Sequence, residues 1–180
     1  MSRTLMRPLK LSFTRPAKFF QPRPLRPLRA LRRWLAVAAC VLGASAVQAQ
    51  TIANTGGLSF GSFVAGSGGT IAVATNGGRS KTGGVMLVAQ GGSSTAAQFI
   101  VSGTANATYV ITLPSDATVA LSDGNGHSMA VNSFVSYPSA TGTLSGAGTQ
   151  ILSVGATLTV GNAQAPGSYT GSFPVTVNYN

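Results

Sequence analysis

The sequence predicts an all-β fold, an antiparallel sandwich, on three observations. The stretch beyond residue 49 is dense in Gly, Ser, Thr, Ala and Val. It contains no glutamate and little charge of any kind. Its apolar residues alternate with period two, the pattern of strands that bury one face, and no long 3.6-residue periodicity competes with it.

Strands are expected at Leu58 to Val64, Thr70 to Thr75, Val85 to Gln90, Ala97 to Ser102, Thr108 to Leu113, Thr118 to Leu121, Met129 to Val135, Gln150 to Val154, Thr157 to Val160 and Tyr169 to Tyr179. Their spacing is that of a two-sheet domain. Asn76-Gly77-Gly78, Gly91-Gly92, Asp123-Gly124-Asn125-Gly126 and Ala165-Pro166-Gly167 divide them, with glycine or asparagine accepting the positive φ of tight turns. Ile71 and Val73, Phe99 and Val101, Tyr109, Ile111 and Leu113, and Leu158 and Val160 would face a common core, with Ser and Thr outward.

The last strand carries the most information. Phe173, Val175, Val177 and Tyr179 share one face. Pro174 has no N–H for a ladder, which places this C-terminal strand at a sheet edge. An apolar edge strand is either covered or used to recruit another strand.

The formal net charge of +10 would suggest a nucleic-acid or acidic partner, but its distribution argues otherwise. Ten of the twelve cations precede an apolar run, Trp34 to Val47. Beyond that run Arg79 and Lys81 oppose Asp116 and Asp123, so no basic surface remains and no nucleic acid is expected. A cationic n-region, an apolar stretch and small residues at Val47-Gln48-Ala49 make residues 1–49 a cleavable Sec-type signal peptide with an unusually long basic n-region, cut after Ala49. The apolar run is shorter than the roughly 20 residues that span a bilayer, so no stable membrane anchor is expected. A lipid-modified Cys40 and a twin-arginine signal at Arg32-Arg33 both fit less well. Cys40 is the sole cysteine, so the exported form from Gln50 would hold no disulfide. Residues 50–57 then form an N-terminal extension and residues 58–180 the sandwich domain.

Leu58-Ser-Phe-Gly61, Gly69-Thr-Ile-Ala-Val73, Asn106-Ala-Thr-Tyr-Val-Ile-Thr-Leu-Pro114, Gly142-Thr-Leu144, Gly155-Ala-Thr-Leu-Thr-Val160 and the terminal Gly167 to Asn180 pattern resemble the secreted bacterial family catalogued as domain of unknown function 4402. That family is similar to major subunits of the common pilus and Mat fimbria of Gram-negative bacteria. The resemblance implies an immunoglobulin-like, pilin-like sandwich assembled by strand complementation. Its partners would be a periplasmic chaperone, an outer-membrane usher and other copies of itself, with a destination at the cell surface. It also implies that Gly167, Phe173, Val175, Val177 and Tyr179 form the edge recognised by chaperone and neighbouring subunit. A donor segment would use the shared parity of Ile52, Leu58 and Phe60. The alternative reading of those residues makes Leu58 to Val64 the first strand and leaves Gln50 to Gly57 frayed.

Catalysis and cofactor binding are not expected. A carboxylate pair would require Asp116 and Asp123, both in turn sequences, and His127 lacks a Gly-x-Ser-x-Gly elbow to serve. Asp123-Gly124-Asn125-Gly126 has no downstream glutamate to complete a calcium loop. Gly66-Ser-Gly-Gly69 is followed by no Gly-Lys-Ser/Thr. Asn106-Ala107-Thr108 is a bare glycosylation triplet, and Arg79 and Lys81 read as a solvated loop. The expected role is a structural fimbrial subunit; the alternative is a self-complete secreted sandwich that binds at the surface.

Overall fold

The computed structural model describes residues 49–89 and 92–180, all within one compact unit, Ala46–Asn180. The signal-peptide reading falls on residues outside this range, except for Ala49 and Gln50, which are exposed. Twelve strands form among the described residues: β1 (Thr51–Gly56), β2 (Phe63–Val64), β3 (Gly69–Val73), β4 (Arg79–Gly83), β5 (Met86–Leu87), β6 (Ala97–Ser102), β7 (Thr108–Thr112), β8 (Val119–Ser122), β9 (Ser128–Tyr137), β10 (Thr141–Thr143), β11 (Thr149–Val160) and β12 (Thr176–Tyr179). Every pairing is antiparallel, and the chain is an all-β sandwich.

β11 organises the molecule. Its first half pairs with β6 and its second half with β3, while β9 runs along its other edge. Adding β1 beside β6, β4 beside β3 and β8 beside β9 completes a seven-stranded sheet. A three-stranded sheet, β10-β7-β12, carries the C-terminal strand at its edge, as expected, although Pro174 itself precedes the ladder. β2 and β5 form a separate two-stranded ribbon.

Even-numbered residues of β11 face inward throughout, and they feed two cores. Ala156, Leu158 and Val160 join Phe60, Ile71, Val73 and Val131 in the first. Leu152 and Val154 join Phe99, Val101, Tyr109 and Ile111 in the second. Leu58, Phe134 and Phe173 touch both.

Several elements differ from expectation for identifiable reasons. Gly155 falls between two expected strands, Gln150 to Val154 and Thr157 to Val160. It lies inside β11, where a side chain would strike the Val73 carbonyl, so the glycine permits close approach of β3 rather than a turn. Arg79 and Lys81, expected in a solvated loop, lie on β4, whose polar and mostly exposed residues Arg79-Ser-Lys-Thr-Gly83 pair fully with β3. The terminal segment is a strand only from Thr176. Upstream, Thr170 alone bridges to Ser122, and Ser172 to Val175 run outside the ladders.

Gln50 to Gly57 is not frayed, because Thr51–Gly56 is β1, hydrogen-bonded along β6 with one irregularity between Asn54 and Gly56. Leu58 to Val64 is mostly irregular, with a bridge from Ser59 to Thr95 and the short β2.

An open groove on the first core

The two cores end differently. The second is closed by β12, which pairs with β7 in the register Thr176↔Thr112 to Tyr179↔Tyr109. The Tyr179 ring lies 5.8 Å from that of Tyr109, and its hydroxyl donates to the Ser102 carbonyl at 3.0 Å. Tyr109, fully buried, donates to Gln150 Oε1 at 2.7 Å. Gly142 makes this possible, since an added Cβ there would land on the Tyr109 ring and 2.8 Å from Gln150 Oε1. Burial, and then the neighbouring Tyr179, push the Tyr109 hydroxyl above its ordinary pKa; burial raises Tyr179 as well.

The first core opens instead into a groove of about 810 Å³. One wall is the Leu58 to Gly66 segment, the other is Ala163 to Phe173, and Val119, Leu121, Met129, Val131 and Leu158 make the floor. The described residues lining it carry no charge. Half-buried Leu58, Phe63, Leu121, Tyr169 and Phe173 give it an apolar surface.

Each wall is held by a specific device. Gly61 adopts a left-handed φ of 67°, and this turn brings the backbone against Arg79. The Arg79 guanidinium donates to the carbonyls of Phe60 (2.9 Å), Ser62 (3.2 Å) and Val88 (3.3 Å). The cation expected in a solvated loop is therefore a clamp on the groove wall, while Lys81 is exposed. Opposite, Tyr169 donates to the Ala165 carbonyl at 2.8 Å and accepts from Gln164 Nε2 at 2.9 Å. Thr170 exchanges two backbone hydrogen bonds with Ser122. Gly171 lies so close to β8 that a Cβ would sit 2.6 Å from the Ala120 carbonyl.

Phe173 is fixed by Phe134, their ring centroids 5.0 Å apart. Phe134 faces inward because β9 bulges. Ser133 has φ 50°, its N–H donates to Asp116 Oδ1 at 2.6 Å, and the Ala117 N–H donates to Asn132 Oδ1 at 2.9 Å. Inward residues are odd up to Val131 and even from Phe134, which turns Val135 and Tyr137 outward. Sequence parity gives little warning of this bulge, since Met129, Val131, Val135 and Tyr137 are all odd-numbered and Phe134 alone departs from that parity.

Of the residues proposed for an interface, Gly167 and Phe173 line the groove, whereas Val175, Val177 and Tyr179 pack against the second core. An added Cβ at Gly167 would find only ordinary contacts, the nearest 3.7 Å away at Asp123. Of the candidate donor residues, Leu58 and Phe60 belong to the groove itself, and Ile52 lies on β1 opposite Val101.

The Asp123–His127 pair sits at the β8–β9 hairpin, with Nδ1 and Oδ2 2.7 Å apart. Desolvation pushes the carboxyl upward, but hydrogen bonds from the Asn125 N–H, the His127 ring and the His127 N–H, with the imidazole charge, hold it below the ordinary carboxylate range. These bonds order a turn.

A family model described as Domain of unknown function (DUF4402) matches residues 50–179. The chain belongs to the DUF4402 family. Neither a curated protein nor a solved structure matches it. In this DUF4402 domain the matched region contains both cores, the groove and β1.

Proposed function

We propose that this chain is a non-enzymatic structural subunit of a cell-surface fimbria, exported to the periplasm and assembled by strand complementation within an immunoglobulin-like, pilin-like sandwich. The groove on the first core is the acceptor. A periplasmic chaperone fills it first, before an outer-membrane usher exchanges that strand for the Gln50 to Gly57 segment of a neighbouring copy.

One observation carries this reading: an uncharged, apolar groove opens onto a hydrophobic core between two backbone segments that are only partly paired. An extended strand lying there would gain main-chain hydrogen bonds and bury alternate side chains. Charge placement supports the same reading. The exposed Lys81 lies on β4, a sheet-edge strand, where charge opposes unplanned pairing, whereas β1 and β12 carry no charged side chain.

A second reading, a self-complete secreted module that binds at the surface, is favoured by the outer face of the large sheet. There Tyr137 and Ile151 are 72% and 63% exposed.

The two are separated by exporting the full chain and a form lacking residues 50–57, then measuring native mass. Oligomers formed by the full chain and lost with the deletion support the subunit. Stable monomers from both support the surface module.

A further inference from the structure

β1 is attached to its domain in an unusual way. Five of its six residues are exposed, and among the described residues neither core nor the half-buried residues around it includes any part of β1. Its ties to the rest of the fold are the ladder with β6 and a hydrogen bond from Thr55 Oγ1 to the Gln98 carbonyl at 3.2 Å. Even Ile52, on the inward face opposite Val101, remains 37% exposed.

The anchored chain begins just beyond. Thr95 Oγ1 donates to the Gly57 carbonyl at 3.0 Å, Ser59 and Thr95 exchange two backbone hydrogen bonds, and Leu58 touches both cores. Between the two regimes lies Gly56-Gly57, and the space around Gly57 is open. Two glycines give the freedom needed for a hinge. β1 therefore has what a releasable strand requires: few side-chain contacts, a hinge, and hydrogen bonds that an equivalent edge elsewhere can replace.

We propose that the pairing of β1 with its own β6 is an autoinhibitory contact. It parks the donor strand at home, and a copy can complement the groove of a second copy only after β1 peels away at Gly56-Gly57. This inference rests on the proposed subunit function and specifies what gates it. Release also uncovers the β6 edge, where Ile100 and Val101 lie, so the parked state protects the isolated subunit from indiscriminate pairing.

A disulfide lock tests the gate. Ala53 and Ile100 are directly opposite in the β1–β6 ladder, as are Thr51 and Ser102, at separations that cross-strand cystines span. In the full chain with Cys40→Ser, the pair Ala53→Cys/Ile100→Cys is oxidised, and native mass is followed before and after reduction. The parent without the new cysteines serves as reference, and Thr51→Cys/Ser102→Cys repeats the test at the other end.

The expected result is an oxidised monomer that assembles like the parent once reduced, for at least one pair whose reduced form is folded. Equal assembly of oxidised and reduced protein, in a parent that also assembles, overturns the gate and leaves the subunit function standing. A parent that never assembles removes the subunit function and the gate with it.

Discussion

The two cores are built from the same strand and by the same rule, yet one is sealed and the other is not. Even-numbered residues of β11 supply both. The second core is closed by β12, with Tyr179 against Tyr109 and Gly142 leaving room for the buried hydroxyl. The first ends in a groove whose walls are a turn clamped by Arg79 and a segment tied to β8 by Thr170. Closure is thus a matter of which edge has a partner, not of how apolar the core is.

Truncations should expose this contrast. Leu152→Ala removes a fully buried side chain from the sealed core and is expected to lose about 2–5 kcal/mol in chemical denaturation. Leu121→Ala, on the groove floor, should lose under about 2 kcal/mol because its surroundings are already open. Equal losses at the two sites would erase the distinction between the cores.

Gly142→Ala forces a methyl group onto the Tyr109 ring, and overpacking of this kind is expected to remove about 1–3 kcal/mol. Arg79→Met takes the guanidinium donors from the carbonyls it now serves, a loss of about 1–3 kcal/mol if they remain buried. That variant should also loosen the Leu58 to Gly66 wall, seen as faster amide hydrogen exchange there with the Tyr109 region unchanged.

The smallest effect is alkaline. Tyr109 and Tyr179 have raised pKa values in the fold, so above pH about 10 the unfolded chain loses protons first. Their contribution is complete below that pH and is lost as pH rises through the folded values. Tyr179→Phe should flatten the fall in melting temperature above pH about 10 and leave the profile near neutrality unchanged in shape.

Much of this architecture is legible in the sequence because alternation in a half-buried strand is a direct consequence of geometry. Ile71, Val73, Phe99, Val101, Tyr109 and Leu158 are buried as their parity requires. β12 lies at a sheet edge as the terminal pattern suggests, but Pro174 precedes the strand and stands outside its ladder, so the missing N–H is not the cause. Elsewhere local pattern competes with long-range pairing. Thr51-Ile-Ala-Asn-Thr-Gly56 has too few apolar residues to announce a strand, yet β6 offers it an edge. Gly155 looks like a terminator because only the approach of β3 explains it.

The site was half legible. Gly167 and Phe173, which the family resemblance implies for an interface, line the groove, and Leu58 and Phe60, expected as donors, lie in its wall. The opposing walls, Leu58 to Gly66 and Ala163 to Phe173, come from distant parts of the chain, and the use of Arg79 to hold one of them depends on contacts 9 to 19 residues apart; no local spacing encodes either.

The proposed subunit function stands on assembly through the groove. Its most direct test is the native mass of the exported full chain carrying Leu121→Arg, beside Ile151→Arg on the outer sheet face, with folding of each verified by circular dichroism. Leu121→Arg is expected to be folded and monomeric, whereas Ile151→Arg assembles like the parent. Undiminished assembly of a folded Leu121→Arg would contradict assembly through the groove.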